Sequence, residues 1–212
     1  MEKTVQRGLV AGAALAGVAL IGGAFYVLQE RKTEEPDFRT LKTDGDFQIR
    51  DYPAMTVAET VVQGPRKTAL GQGFAIIADY IFAKSRPGET IEMTVPVMQD
   101  SGDPMASDPP LFDDELDGAW RTRFVMPSGR TADDLPDPPA VIELVDLPPR
   151  KVAVVSFAGR ADDRMLADAE DRLRGWLVRI GEKSAAEPEY AFYNSPVIPG
   201  PLRRNEVWLA LG

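Results

Sequence analysis

Residues 49–64 read IRDYPAMTVAETVVQG, and residues 144–159 read LVDLPPRKVAVVSFAG. Aligned without gaps at a constant offset of 95, five positions agree: Asp51/Asp146, Pro53/Pro148, Val57/Val152, Ala58/Ala153 and Gly64/Gly159. Each copy runs into a helical pattern. Each later reaches an apolar Pro-Val step, Thr94-Val95-Pro96-Val97 in the first and Asn194-Ser195-Pro196-Val197 in the second. Short β-rich runs match easily by chance, but a shared order of strand, helix and Pro-Val strand is that of a duplicated unit. Two similar α+β halves are therefore expected to pack into one domain about a pseudo-twofold axis. The groove where two halves meet is a natural place for a ligand.

Working outward, Phe38–Thr43 and Phe47–Tyr52 flank the turn signal Asp44-Gly45 and read as a hairpin. Met55–Val62 is a third strand, broken by Gly64-Pro65. Lys67–Lys84 is helical, with Leu70, Phe74, Ile77 and Ile81 on one stripe and Gly73, Ile76 and Tyr80 on a second beside it. This helix is apolar over more of its circumference than a helix on a sheet needs. Either it is buried on two sides, or the second stripe lines a groove for an apolar ligand. Glu89–Met98 reads as a strand, 99–117 as an acidic loop, Trp120–Met126 as a strand and Ser128–Pro139 as a loop. Val141–Leu147 and Lys151–Phe157 read as a second hairpin. Asp162–Gly181 is the second helix, turning Met165, Ala169, Leu173, Trp176, Leu177 and Ile180 inward and stopped by Gly181. Tyr190–Asn194 and Glu206–Leu211 are the last strands.

Composition excludes whole classes of chemistry. There is no cysteine, so disulfides, thiol catalysis and thiolate metal sites are out. There is no histidine, which removes the commonest general base and metal ligand. No nucleophile–base pair is recognisable, and no catalytic or metal-binding residue is assigned. The net charge is −9, and seven acids with no base lie in 99–117. Without that segment the charge would be −2, and no basic face for nucleic acid is visible. The run Asp113-Asp114-Glu115-x-Asp117 lacks the spacing and glycine of a calcium loop and reads as solvated charge.

Gly8 to Gln29 carries no charge. At about 1.5 Å per residue it would span roughly 30 Å, the thickness of a hydrocarbon core. Residues 1–35 are therefore expected to form a transmembrane anchor and linker. The remainder, 36–212, would then be a domain facing the periplasm or cell exterior. A cleaved signal peptide with a small-residue site near Gly22-Gly23-Ala24 is the alternative. Gly8, Gly12 and Ala16 have the spacing that lets two membrane helices approach closely.

Four runs occur in a familiar order: Met93-Thr94-Val95-Pro96-Val97, Phe124-Val125-Met126-Pro127, Phe192-Tyr193-Asn194-Ser195-Pro196, and Arg203-Arg204-Asn205-Glu206-Val207-Trp208-Leu209. With Asp51-Tyr52-Pro53 and Phe157-Ala158-Gly159 they resemble the SOUL haem-binding protein family over about 36–212. The resemblance implies a distorted antiparallel β-barrel of two repeated halves, each with a helix. It also implies binding of haem or a related tetrapyrrole in a shallow apolar groove along a helix, with Phe74, Ile77, Tyr80, Ile81 and Met93 as the residues that would line it. Some members are thought to use a histidine as axial ligand, and this chain has none. Ligation by Tyr80, Met93 or Met98, or binding with no iron–protein bond, remain open. Each of those side chains also reads as ordinary packing. Arg203-Arg204-Asn205 would either meet ligand carboxylates or pin loops. Two other readings stand beside haem binding. One is a module for another hydrophobic small molecule, on a design similar to the gyrase-inhibitor-like effector-binding domains. The other is an interaction protein recruiting through its acidic 99–117 loop and its membrane anchor.

Overall fold

The computed structural model describes residues 33–102 and 118–212. The expected membrane span and the acids of 113–117 lie outside the described residues. No described helix is long and apolar enough to cross a membrane.

The elements run β1 (Arg39–Asp44), β2 (Phe47–Tyr52), β3 (Met55–Gln63), α1 (Arg66–Ile81), β4 (Val97–Ser101), β5 (Ala119–Val125), β6 (Glu143–Leu147), β7 (Arg150–Ala158), α2 (Asp163–Arg179), β8 (Glu189–Phe192) and β9 (Arg204–Leu211). They form one nine-stranded antiparallel sheet in the order β1-β2-β7-β9-β8-β4-β5-β3-β6. Exchange β2 with β6, β3 with β7, β4 with β8 and β5 with β9, and the last eight strands read the same backwards. The duplication is thus built into the hydrogen bonding, with the β4–β8 pair at its centre. β3 and β7 are offset by the same 95 residues as the sequence echo.

The second expected hairpin does not form. β6 pairs with β3 (Met55↔Leu147), and β2 pairs with β7 (Tyr52↔Arg150). The outer strand of each half is therefore exchanged onto the other. The connectors explain this. Hairpins of two-residue loops need positive φ in the turn, and Pro53-Ala54 and Pro148-Pro149 begin with a residue locked near φ −65°. The chain turns a corner there and carries on to the other half. The first hairpin does form, turning at Gly45 with φ +58°. The shared glycines also find their reason: Gly64 and Gly159 follow β3 and β7 with φ of +120° and +137°, where a side chain would be strained.

Two further expectations change. The strand expected over Glu89–Met98 begins only at Val97, because Pro96 has no N–H to give a ladder. It extends to Ser101, so Asp100 sits in β4 and not in a loop. The Pro-Val steps are also not equivalent, since Pro96 precedes β4 whereas Pro196 follows β8.

α1 packs on β3 and β5, and α2 on β7 and β9. Under α1 lie Ala58, Ile77, Tyr80, Ile81, Phe124 and Met126. Under α2 lie Ala153, Val155, Leu166, Leu173, Trp176 and Leu209. Alternate strand residues point the other way and build a third cluster with Tyr52, Val57, Met98, Val125, Val154 and Trp208. The sheet curls around this third cluster as a half-barrel. Among the described residues no pairing joins β1 to β6, so the barrel expected from sequence is left open.

Candidate functional site

The two helices occupy equivalent places but have unlike surfaces. α2 is amphipathic: Leu166, Leu173, Trp176 and Leu177 are buried, while Arg164, Asp168, Asp171, Arg172 and Arg179 are exposed. Its N-terminus is capped by the Asp162 carboxylate, which accepts from the Met165 amide at 2.9 Å. On α1 the charged residues are Arg66, Lys67 and Asp79 alone. Its outer side presents Lys67, Thr68, Gly71, Gln72, Phe74 and Ala75, followed by Phe82 just past its end. Phe74 is 38% exposed and Phe82 42%. The Phe74 ring leans on Phe124 with centroids 5.2 Å apart. α1 lies very close to the sheet, since a Cβ on Gly73 would stand 2.4 Å from Thr122 Oγ1.

The five residues expected to line a groove therefore separate. Ile77, Tyr80 and Ile81 are at most 1% exposed and belong to the core under α1. Tyr80 donates its hydroxyl to the Pro136 carbonyl at 2.6 Å, and burial raises its pKa above the ordinary value. Phe74 and the half-buried Met93 are the two that a ligand reaches without opening the core. Ile76, which was not among the five, is half-buried against the cluster under α1.

As a platform for a flat macrocycle these residues fit, because their exposed atoms are apolar and aromatic. As an iron-ligand set they do not. Tyr80 is sealed, and Met98 is 1% exposed on the other face of the sheet. Met93 is the member of the three that is only half-buried.

The Arg203-Arg204-Asn205-Glu206 run proves to be architecture. Glu206 is fully buried and accepts from both terminal nitrogens of Arg50 at 2.9 Å, from Tyr193 at 2.8 Å and from Trp208 Nε1 at 2.7 Å. Burial works to raise its pKa, but the hydrogen bonds and charge of Arg50, with Arg204, hold it below the ordinary value. Arg204 is engaged by Glu206 and Glu35 and lies 3.7 Å over the Tyr193 ring. Asn205 donates to the Gly159 carbonyl at 3.1 Å, and Arg203 to that of Ile198 at 2.7 Å. A second network crosses the same face. Asp100 accepts from Arg121 at 2.9 Å and from Arg123, and Arg123 donates to Glu59 at 2.7 Å. Burial raises the Asp100 pKa more than Arg123 and Arg121 lower it. Sequence reasoning missed both networks, because Arg50 and Glu206 stand 156 residues apart and nothing local pairs them.

The chain matches the SOUL heme-binding protein family over residues 33–210 and belongs to that family. Among solved structures it is similar to the C-terminal domain of EcmrR (14% identity, TM-score 0.55, covering 78% of this chain and 96% of that one). It is also similar to an uncharacterized conserved protein from Listeria innocua (15% identity, TM-score 0.54, covering 79% and 92%). A hydrolase from the same organism aligns at 13% identity and TM-score 0.52, covering 81% and 94%. At such identities these likenesses speak for the shared α+β fold. No curated protein matches the chain.

Proposed function

We propose that the domain binds haem or a related tetrapyrrole on the outer face of α1, through contact area and without an iron–protein bond, and catalyses no reaction. The observation that carries this is the exposed aromatic edge of α1. Phe74 on α1 and Phe82 just past its end stand out where charges are few, whereas the exposed face of α2 is mostly charged, with Val178 its one large apolar residue. Family membership supplies the ligand class. A macrocycle burying several hundred Å² at about 25 cal/mol/Å² would reach the micromolar range once association costs are met. Phe74 and Met93 form its contact surface, and Ile77, Tyr80 and Ile81 hold that surface rigid from beneath. Lys84, whose ammonium lies 5.9 Å from the Phe82 ring, stands beside the patch as a counter-charge for ligand carboxylates.

Titrating the full-length chain with hemin tests the reading. A Soret shift and tryptophan quenching at low micromolar hemin are expected. Phe74→Ala should weaken binding about tenfold, as loss of an aromatic anchor does, and Tyr80→Phe should leave the bound spectrum unchanged. Absence of any spectral change at tens of micromolar hemin would reject the proposal.

The absence of histidine also supports a second reading, that the same patch takes a different hydrophobic small molecule. A thermal-shift screen in which hemin is inert and another apolar compound stabilises the chain would select it.

A further inference from the structure

A cavity of about 500 Å³ opens at the end of the half-barrel, where the first residues of β3 meet the last of β5. It is not lined by α1. Its apolar lining comes from Met55, Val125 and Met126; Val125 is buried in the cluster inside the half-barrel, and Met126 in the one under α1. The segment around Glu34 forms one wall and is fastened through the main chain and side chain of that residue. The Glu34 carbonyl accepts from the Val95 amide at 2.8 Å, and its carboxylate accepts from the Ser128 amide at 2.8 Å and the Ser128 hydroxyl at 2.5 Å.

The charge on the rim is one-sided. Glu34, Asp37 and Asp146 bring three carboxylates, against the guanidinium of Arg130 alone. That guanidinium is already held by Glu89, which does not line the cavity. Asp146 has one oxygen occupied by the Thr56 hydroxyl at 2.6 Å, and that hydroxyl also meets the Arg130 carbonyl. An apolar floor of this volume with carboxylates at the mouth is complementary to a small organic cation: a ring or short chain for the methionines and an ammonium for the rim. The same charge repels a haem, whose propionates are anionic.

We infer that this cavity is a second binding site, distinct from the α1 face, for a small amphipathic organic cation of the aryl-alkylammonium type.

The test uses the full-length chain, with 1-naphthylmethylammonium as probe and the neutral 1-naphthalenemethanol as its match in shape. Calorimetry should show the cation binding roughly tenfold tighter than the alcohol, the sum of several weak rim interactions. Methyl-labelled methionine spectra should show the Met55 signal moving with the probe while Met93 stays in place. Asp146→Asn should weaken the cation a few-fold without touching the alcohol, and Met55→Trp should abolish both. Phe74→Ala should leave cation binding unaltered, so failure of the tetrapyrrole proposal would not be mistaken for failure of this one. Equal affinity for cation and alcohol, or a Met55 signal that does not move at saturation, would overturn the inference. So would a probe that shifts Met93 instead. Should Met55→Trp fail to fold, the wild-type methyl spectra decide the matter alone.

Discussion

Glu206 gathers hydrogen bonds from Arg50, Ser156, Tyr193, Arg204 and Trp208, and it has no contact with water. Removing its charge would leave the Arg50 guanidinium, 3% exposed, without its carboxylate. Breaking a buried pair from one side typically costs about 3–5 kcal/mol. Glu206→Gln should therefore lower stability by that order in urea denaturation, and a loss below about 1 kcal/mol would contradict it. The pH dependence follows from the sign of the shift. A carboxyl held below its ordinary value of 4.5 stabilises the fold above that pH. This contribution fades as the pH falls through the folded value, so the acid midpoint of Glu206→Gln should be less steep than that of the parent. Asp100, raised by burial, acts with the opposite sign and should be studied separately through Asp100→Asn.

At the scale of the element, α1 is the piece whose two sides answer to different demands. Gly73 lets its backbone approach Thr122, and an added Cβ would meet Thr122 Oγ1 at 2.4 Å and Cβ at 2.7 Å. Gly71, two residues earlier, has nothing within 4 Å of that position. Gly73→Ala should cost about 1–3 kcal/mol by overpacking, while Gly71→Ala should be neutral or stabilising by up to about 1 kcal/mol through helix propensity. Thermal melts of the two variants moving in the same direction would contradict this account of the helix. The unusual apolarity of α1 was legible in its sequence, because periodicity counts apolar positions. Which stripe is covered was not, since that depends on β5 and on the chain around Pro136, which lie far along the sequence. Strand partners were illegible for the same reason. Val141–Leu147 and Lys151–Phe157 look like hairpin arms, and only the exchange between halves sends them to β3 and β2. Asp100 looked like a loop acid because its partners, Arg121 and Arg123, lie on another strand.

The domain formed by the described residues is a duplicated sheet locked by exchanged outer strands, with the Glu206 and Asp100 networks on one face and the helices on the other. Duplication was readable from five identities because they fall where the fold constrains the chain: at or next to the proline corners, in the buried stretches of β3 and β7, and at glycines of positive φ. One consequence concerns the tyrosines. Of five in the chain, Tyr52, Tyr80, Tyr190 and Tyr193 all have pKa values raised chiefly by burial, Tyr52 to about 12. The unfolded chain ionises near the ordinary 10.0, so stability present below that pH should be lost as the pH rises beyond it. Phenolate absorbance at pH about 11 should report a minority of the tyrosines until the fold opens. Five groups titrating together near pH 10 would refute the packing described here.

The central claim is that a flat apolar guest is held on α1 by surface contact and not by a metal bond. Hemin and metal-free protoporphyrin share their shape and carboxylates and differ in the iron. Parallel titrations of the full-length chain by tryptophan quenching should give dissociation constants within about threefold of one another, less than the worth of a single good interaction. Hemin binding a hundredfold tighter than protoporphyrin would contradict the account and place a ligand bond to iron at the heart of recognition.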